Sequence, residues 1–131
     1  YTTLVEGDDM NDPIGDAVRS IVDGHIVLSR ALAHKGHFPA IDLLQSTSRV
    51  MKSVATPEHI RMAQKLRETL AIYQDAEDLI NVGAYKAGAN PKIDKAVKLI
   101  DGINDFLRQR VEDGTSFSQT QKMLQQLFIG N

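Results

Sequence analysis

Cysteine is absent from the 131-residue sequence. Its absence excludes disulfides, thiol catalysis and cysteine metal sites, and it fits a reducing compartment. Basic charge is scarce in relative terms: 15 Lys plus Arg stand against 17 Asp plus Glu, for a formal net charge of −2. The basic face that nucleic acid requires is therefore missing, and no nucleic-acid partner is expected. No apolar run approaches the roughly 18 to 20 residues that span a bilayer. The first residues lack the basic region and apolar core of a secretion signal. No Gly-x-x-x-x-Gly-Lys-[Ser/Thr] loop occurs, so no segment is built to cradle nucleotide phosphates. His25, His34, His37 and His59 make no His-x-x-x-His pair on one helix, and Gly36 separates His34 from His37. A zinc site is not expected. Asp8, Asp9 and Asp12 crowd one loop, but without the Asp-x-Asp-x-Asp-Gly spacing of a calcium site.

What is present is an ordinary globular balance, 42% hydrophobic and 24% charged. The length suffices for one domain or two small lobes. Residues 1–6, Tyr-Thr-Thr-Leu-Val-Glu, are aromatic and β-branched and predict a strand. An acidic loop follows. Asp12 then offers a cap and Pro13 a first position for a helix over 14–22, where Ile14, Ala17, Val18, Ile21 and Val22 recur at helical spacing. The apolar run 25–28 predicts a buried strand, and Ser29 caps a short helix over 30–35 closed by Gly36. Strand, helix, strand, helix reads as the tail of an α/β sheet.

The pattern changes near Val54. Thr56-Pro57 opens a long helix with Ile60, Ala63, Leu66, Leu70, Tyr73 and Ile80 in one stripe, ended by Gly83. Further helices are expected over 92–100, over 103–111 after Gly102, and over 118–128 with Ser118 as cap. The reading is thus an α/β part over 1–54 and an all-helical lobe over 55–131. Asp75, Glu77 and Asp78 make a solvated helix face.

Chemistry concentrates in Gly36-His37-Phe38-Pro39-Ala40-Ile41-Asp42-Leu43-Leu44-Gln45-Ser46-Thr47-Ser48-Arg49-Val50-Met51. A stiff Phe-Pro-Ala turn leads to a lone arginine after Ser-Thr-Ser. The planar guanidinium suits phosphate or carboxylate; a local surface salt bridge is the plain alternative. Ser46 and Ser48 have no evident base partner and are expected to fix the loop rather than react.

This run resembles the end of the nucleotide-binding domain in the rotary-type hexameric ATPases, namely the catalytic subunits of F-type and V-type ATPases and the ATPases of type III protein export. Leu4-Val5-Glu6-Gly7-Asp8-Asp9-Met10-Asn11-Asp12-Pro13-Ile14 and Asp23-Gly24-His25-Ile26-Val27-Leu28-Ser29-Arg30 resemble the export branch, flagellar or virulence. The resemblance is specific over 1–51 and looser, mainly in helix placement, over 55–131. It implies an α/β tail of a RecA-like nucleotide-binding domain followed by an all-helical C-terminal lobe. Because the phosphate-binding loop and the acidic magnesium strand would lie upstream, the chain reads as a C-terminal fragment that would not hydrolyse ATP alone.

The resemblance implies a Mg²⁺- and ATP-dependent homohexameric motor of type III export, flagellar by preference. The family would also place it in the cytoplasm, peripheral to the inner-membrane export apparatus. Its expected partners are a coiled-coil central stalk protein, a stator or regulator protein, export substrates and chaperones, and the membrane export gate. In the family the matching arginine, here Arg49, reaches in trans to the γ-phosphate of the neighbouring subunit's ATP. Phe38 would stack on adenine, unless it only packs between the lobes. Phe117 falls near a second aromatic of that pocket, although Val111 stands where another aromatic would. Asp8 and Asp9 are expected at the shaft or a subunit interface. Tyr85 and Lys86, in a neutral-to-basic loop where the F-type subunit is acidic, would meet the stalk, or else belong to an ordinary connector. The alternatives are an F-type or V-type catalytic subunit and a non-catalytic helical interaction module.

Overall fold

The computed structural model describes residues 1–129; positions 130 and 131 of the expected helical lobe lie outside the described residues. Helix α1 (Pro13–Ile21) starts where Asp12 caps it: the Asp12 carboxylate accepts the N–H groups of Ile14 and Gly15 at 3.2 and 3.3 Å. Strand β1 (Gly24–Leu28) follows, then α2 (Arg30–His34), whose Leu32 N–H is capped by Ser29 Oγ. Strand β2 (Ile41–Ser48) pairs antiparallel with β1, and the short α3 (Met51–Val54) leads into the helical lobe.

Two expectations for this part are corrected. Residues 1–6 are not a strand; they are irregular and enter a 3₁₀ turn at Glu6–Asp8. A strand exists only beside a hydrogen-bonding neighbour, and the two-stranded sheet here consists of β1 and β2 alone. Nor is β1 buried throughout. Only Val27 is buried, while Ile26 and Leu28 are 70% and 71% exposed; the sheet packs on the helical lobe through α4 and β2.

The lobe is built on α4 (Pro57–Asn81), capped by Thr56, whose hydroxyl accepts the His59 N–H at 3.2 Å. Its 25 residues extend about 37 Å, and the expected stripe, Leu66 and Leu70 above all, faces inward. Helices α5 (Pro91–Leu107) and α6 (Phe117–Gln126) pack on it. Leu66, Leu99, Ile103 and Leu124 form the buried centre, with Met62, Phe106, Leu127 and, from β2, Leu43 packed around them.

The two helices expected over 92–100 and 103–111 are one, running straight through Gly102. A Cβ there would stand 3.3 Å from Leu127 Cδ2. Glycine thus allows close packing between α5 and Leu127 at the end of α6, at a helix cost of about 1 kcal/mol. The cap of α6 is Ser116, not Ser118: its hydroxyl accepts the Gln119 N–H, and Gln119 Oε1 accepts the Ser116 N–H. Both serines have a glutamine three residues on, Gln119 and Gln121, so the capping-box pattern alone does not choose between them.

Candidate functional site

The segment around Arg49 is held by a bulge that periodicity does not reveal. His25 pairs with Thr47 and Val27 with Asp42, so the register shifts between them and residues 43–46 arch out of the ladder. Asp42 organises the arch. Its carboxylate accepts the Leu44 and Gln45 N–H groups, both at 3.1 Å, and the Gln45 side-chain amide at 2.8 Å. Ser46 Oγ donates to the Asp42 carbonyl at 2.6 Å and accepts the Val27 N–H at 3.0 Å, so it bridges arch and strand as a fixing residue should.

The carbonyls that turn outward are collected by Arg67 of α4. Its guanidinium donates to Leu43 O at 2.6 Å, Leu44 O at 3.0 Å and Ser46 O at 3.1 Å. No motif in the sequence marks Arg67. The available signal was its place beside the apolar stripe, between Ala63 and Leu70 on the inner face, where a lone cation needs acceptors.

Arg49 leaves β2 just beyond this arch. Its backbone N–H donates to Asp23 O at 2.8 Å. Its guanidinium donates to Arg19 O at 3.1 Å, one of the last carbonyls of α1. A cation at a helix C-terminus suits the helix dipole. Among the described residues Arg49 has no carboxylate within ion-pair distance, and it is exposed. The plain alternative, a local salt bridge, is not formed among the described residues. Among the described residues the one side-chain hydrogen bond of Arg49 is that to Arg19 O, and a guanidinium has five N–H donors.

Phe38 lies in the turn between α2 and β2. Its carbonyl accepts the Gln109 N–H at 2.9 Å, which fastens the turn to the end of α5, while 55% of the residue stays exposed. Beside it the His37 imidazole is held below its ordinary pKa, first by burial and then by the Arg108 guanidinium. Arg108, Gln109, Glu112, Asp113, Thr115 and Met123 line an open cleft of about 540 Å³ at this end of α5. Phe117 makes its ring contact elsewhere: it meets His59 edge-to-face at 5.8 Å and is 70% exposed.

Because folding lowers the His37 pKa, the folded chain favours neutral imidazole. The associated stability is complete above the unfolded value of about 6.5 and is lost as pH falls below it toward the lowered folded value. The expected result is a urea midpoint that drops on going from pH 7.5 to 5.5 more steeply in the wild-type chain than in His37→Gln. Parallel slopes would contradict it.

The remaining candidates lie at the extremities. Asp8 has φ +58°, stands next to Gly7 at φ +62°, and pairs with Arg30 at 3.2 Å. Asp9 accepts the Asn11 N–H at 2.9 Å. At the far end of α4, the Tyr85 hydroxyl donates to Asp94 Oδ1 at 2.7 Å, and the Asp94 carboxylate also accepts the Gly88 N–H. Burial, then Asp94, holds the Tyr85 phenol above its ordinary pKa. The loop carrying exposed Lys86 is thus an ordered turn. Among the described residues no cluster of three His, Cys, Asp or Glu could hold a metal ion, and no helix is long and apolar enough to cross a membrane.

Residues 55–126 match the T3SS EscN ATPase C-terminal domain, and residues 1–48 match the nucleotide-binding domain of the ATP synthase alpha/beta family. The chain is 54% identical over 113 residues to a flagellum-specific ATP synthase of Bacillus subtilis, a match covering 86% of this chain and 26% of that protein. The assembled ATPase EscN of the enteropathogenic E. coli type III secretion system superposes with a TM-score of 0.93 at 48% identity, over 97% of this chain and 31% of that one. EscN in complex with its central stalk EscO superposes at 0.83 and 47% identity, over 88% and 28%. The chain spans about a quarter to a third of the length of these relatives. It belongs to the type III secretion EscN ATPase C-terminal domain family.

Proposed function

We propose that this chain is the C-terminal portion of a homohexameric ATPase of type III protein export, flagellar or virulence, and that Arg49 is its arginine finger, acting in trans. In this reading residues 1–54 close a RecA-like nucleotide-binding domain and residues 55–131 form the helical lobe. The observation that carries it is Arg49 itself: an exposed guanidinium on a braced strand end, bonded to a neutral carbonyl and, among the described residues, paired with no carboxylate. A guanidinium so presented at a subunit boundary meets the charge that spreads over the equatorial oxygens of a transferring γ-phosphoryl group. The ring architecture is supported by the assembled form of EscN.

The other residues take roles around that one. Phe38, exposed and fastened to α5 through Gln109, offers a flat apolar face for adenine. Phe117 would have to leave His59 to join it. When bound, Mg²⁺ and ATP supply the phosphoryl chemistry, and their phosphate-binding loop lies outside these residues. The Asp8–Asp9 loop faces the shaft or a neighbour, and the ordered Tyr85–Lys86 turn meets a coiled-coil stalk, a reading supported by the EscN–EscO complex. The lobe also meets a regulator, export substrates and chaperones, and the motor works in the cytoplasm at the export gate. The test is ATP turnover by the full-length protein carrying Arg49→Ala, with ring assembly followed in parallel. Loss of turnover in intact rings is expected; undiminished turnover would overturn the role.

A further inference from the structure

The arch in β2 places an unusual demand on the helical lobe. Residues 43–46 leave the ladder with β1, so their carbonyls have no backbone partner there; Gln45 O is met by the His25 ring nitrogen at 3.0 Å, and the stretch ends three residues before Arg49. Among the described residues the polar contacts from α4 to β2 all come from one side chain, Arg67, which grips Leu43 O, Leu44 O and Ser46 O together. Beyond the grip the path to Arg49 is short and backbone-bonded: Thr47 pairs with His25, Ser48 with Gly24, and the Arg49 N–H donates to Asp23 O. Leu43 enters the core of the lobe beside the same grip.

From this geometry we infer that Arg67 is a positioning residue for Arg49. It fixes the strand that carries the finger to the helical lobe, so that the guanidinium is presented at a set height. The inference rests on the reading of Arg49 as the finger. Arg67 touches no reacting atom. It acts through the Leu43–Ser46 backbone, and its planar fork is the feature that matters, because one ammonium cannot reach three carbonyls spread over the arch.

The experiment is a double-mutant cycle on ATP turnover in the full-length ring, comparing wild type, Arg49→Ala, Arg67→Lys and the double variant, with assembly measured by light scattering. Arg67→Lys is expected to lower kcat about 10-fold with KM unchanged, since a small misplacement of a catalytic group reduces rate rather than affinity. In the Arg49→Ala background the same substitution is expected to have no further effect. An equal fold-loss in both backgrounds, a rise in KM with kcat intact, or an unchanged kcat would each overturn the inference. Should Arg67→Lys rings not assemble, Arg67→Gln, which keeps an amide donor, is read in the same cycle. Full activity of Arg49→Ala alone would remove the finger reading and this inference with it, whereas a crippled Arg49→Ala beside an additive Arg67→Lys would remove only the inference.

Discussion

Replacing Arg49 by lysine in the full-length ring is expected to slow ATP hydrolysis almost as far as replacing it by alanine, by roughly 10³-fold, with the hexamer intact. Arginine and lysine both carry the positive charge, so a purely electrostatic surface role would be rescued by lysine. A finger is not, because a guanidinium spreads its charge and donors over a plane that matches the equatorial oxygens, whereas an ammonium is a compact, strongly hydrated point. The starting geometry favours this outcome. Among the described residues Arg49 is anchored by a single side-chain bond, to the Arg19 carbonyl, so little must be broken for it to reach outward. Its replacement also leaves no buried charge behind, and folding should be nearly unaffected. Steady-state turnover of purified rings checks both variants; lysine close to wild type would contradict the finger.

The second large effect concerns stability rather than turnover. Arg67→Ala is expected to lower the unfolding free energy of the chain by about 2 to 4 kcal/mol, read from urea denaturation. Hydrogen bonds from a charged donor are worth about 1.5–3 kcal/mol each. The three made by Arg67 share one half-buried guanidinium, so they do not add in full. Alanine would leave the carbonyls of Leu43, Leu44 and Ser46 without their partner and free the Leu43 side chain to leave the core it joins. By contrast, removing the exposed pair Arg30–Asp8 should change stability by less than about 1 kcal/mol, as surface ion pairs usually do. Equal small effects from both substitutions would refute the account of the arch.

The parts that sequence exposes well are those governed by local chemistry. Asp12 before Pro13 and Thr56 before Pro57 mark helix starts because an oxygen acceptor and a proline each solve a problem of the first turn. The stripe from Ile60 to Ile80 predicts a buried face for the same local reason. Gly102 misleads because a glycine inside a helix and one after its end look alike until Leu127 is seen against it. Strand β2 escapes because Asp42, Gln45 and Ser46 read as turn residues, and they are: they build a turn inside a strand. Residues 1–6 have the composition of a strand, but pairing is a property of neighbours and not of the segment.

The site divides along the same line. Arg49 and Phe38 stand out through a motif, whereas Arg67 has no motif and becomes evident only when the carbonyls it serves are in view. Phe117, set near the pocket of Phe38 only by the family resemblance, has its ring contact with His59 at the start of α4, which no motif marks.

In the proposed role Arg49 serves the nucleotide site of the next subunit. The measurement that tests it most directly is ATP turnover in mixed rings assembled from two full-length variants, Arg49→Ala and one crippled in its own phosphate-binding loop. Each alone is expected to be inactive. Mixed rings are predicted to regain turnover, because some interfaces then join an intact nucleotide site to an intact Arg49 from its neighbour. Mixed rings that assemble, as shown by native mass, and yet stay inactive would contradict action in trans.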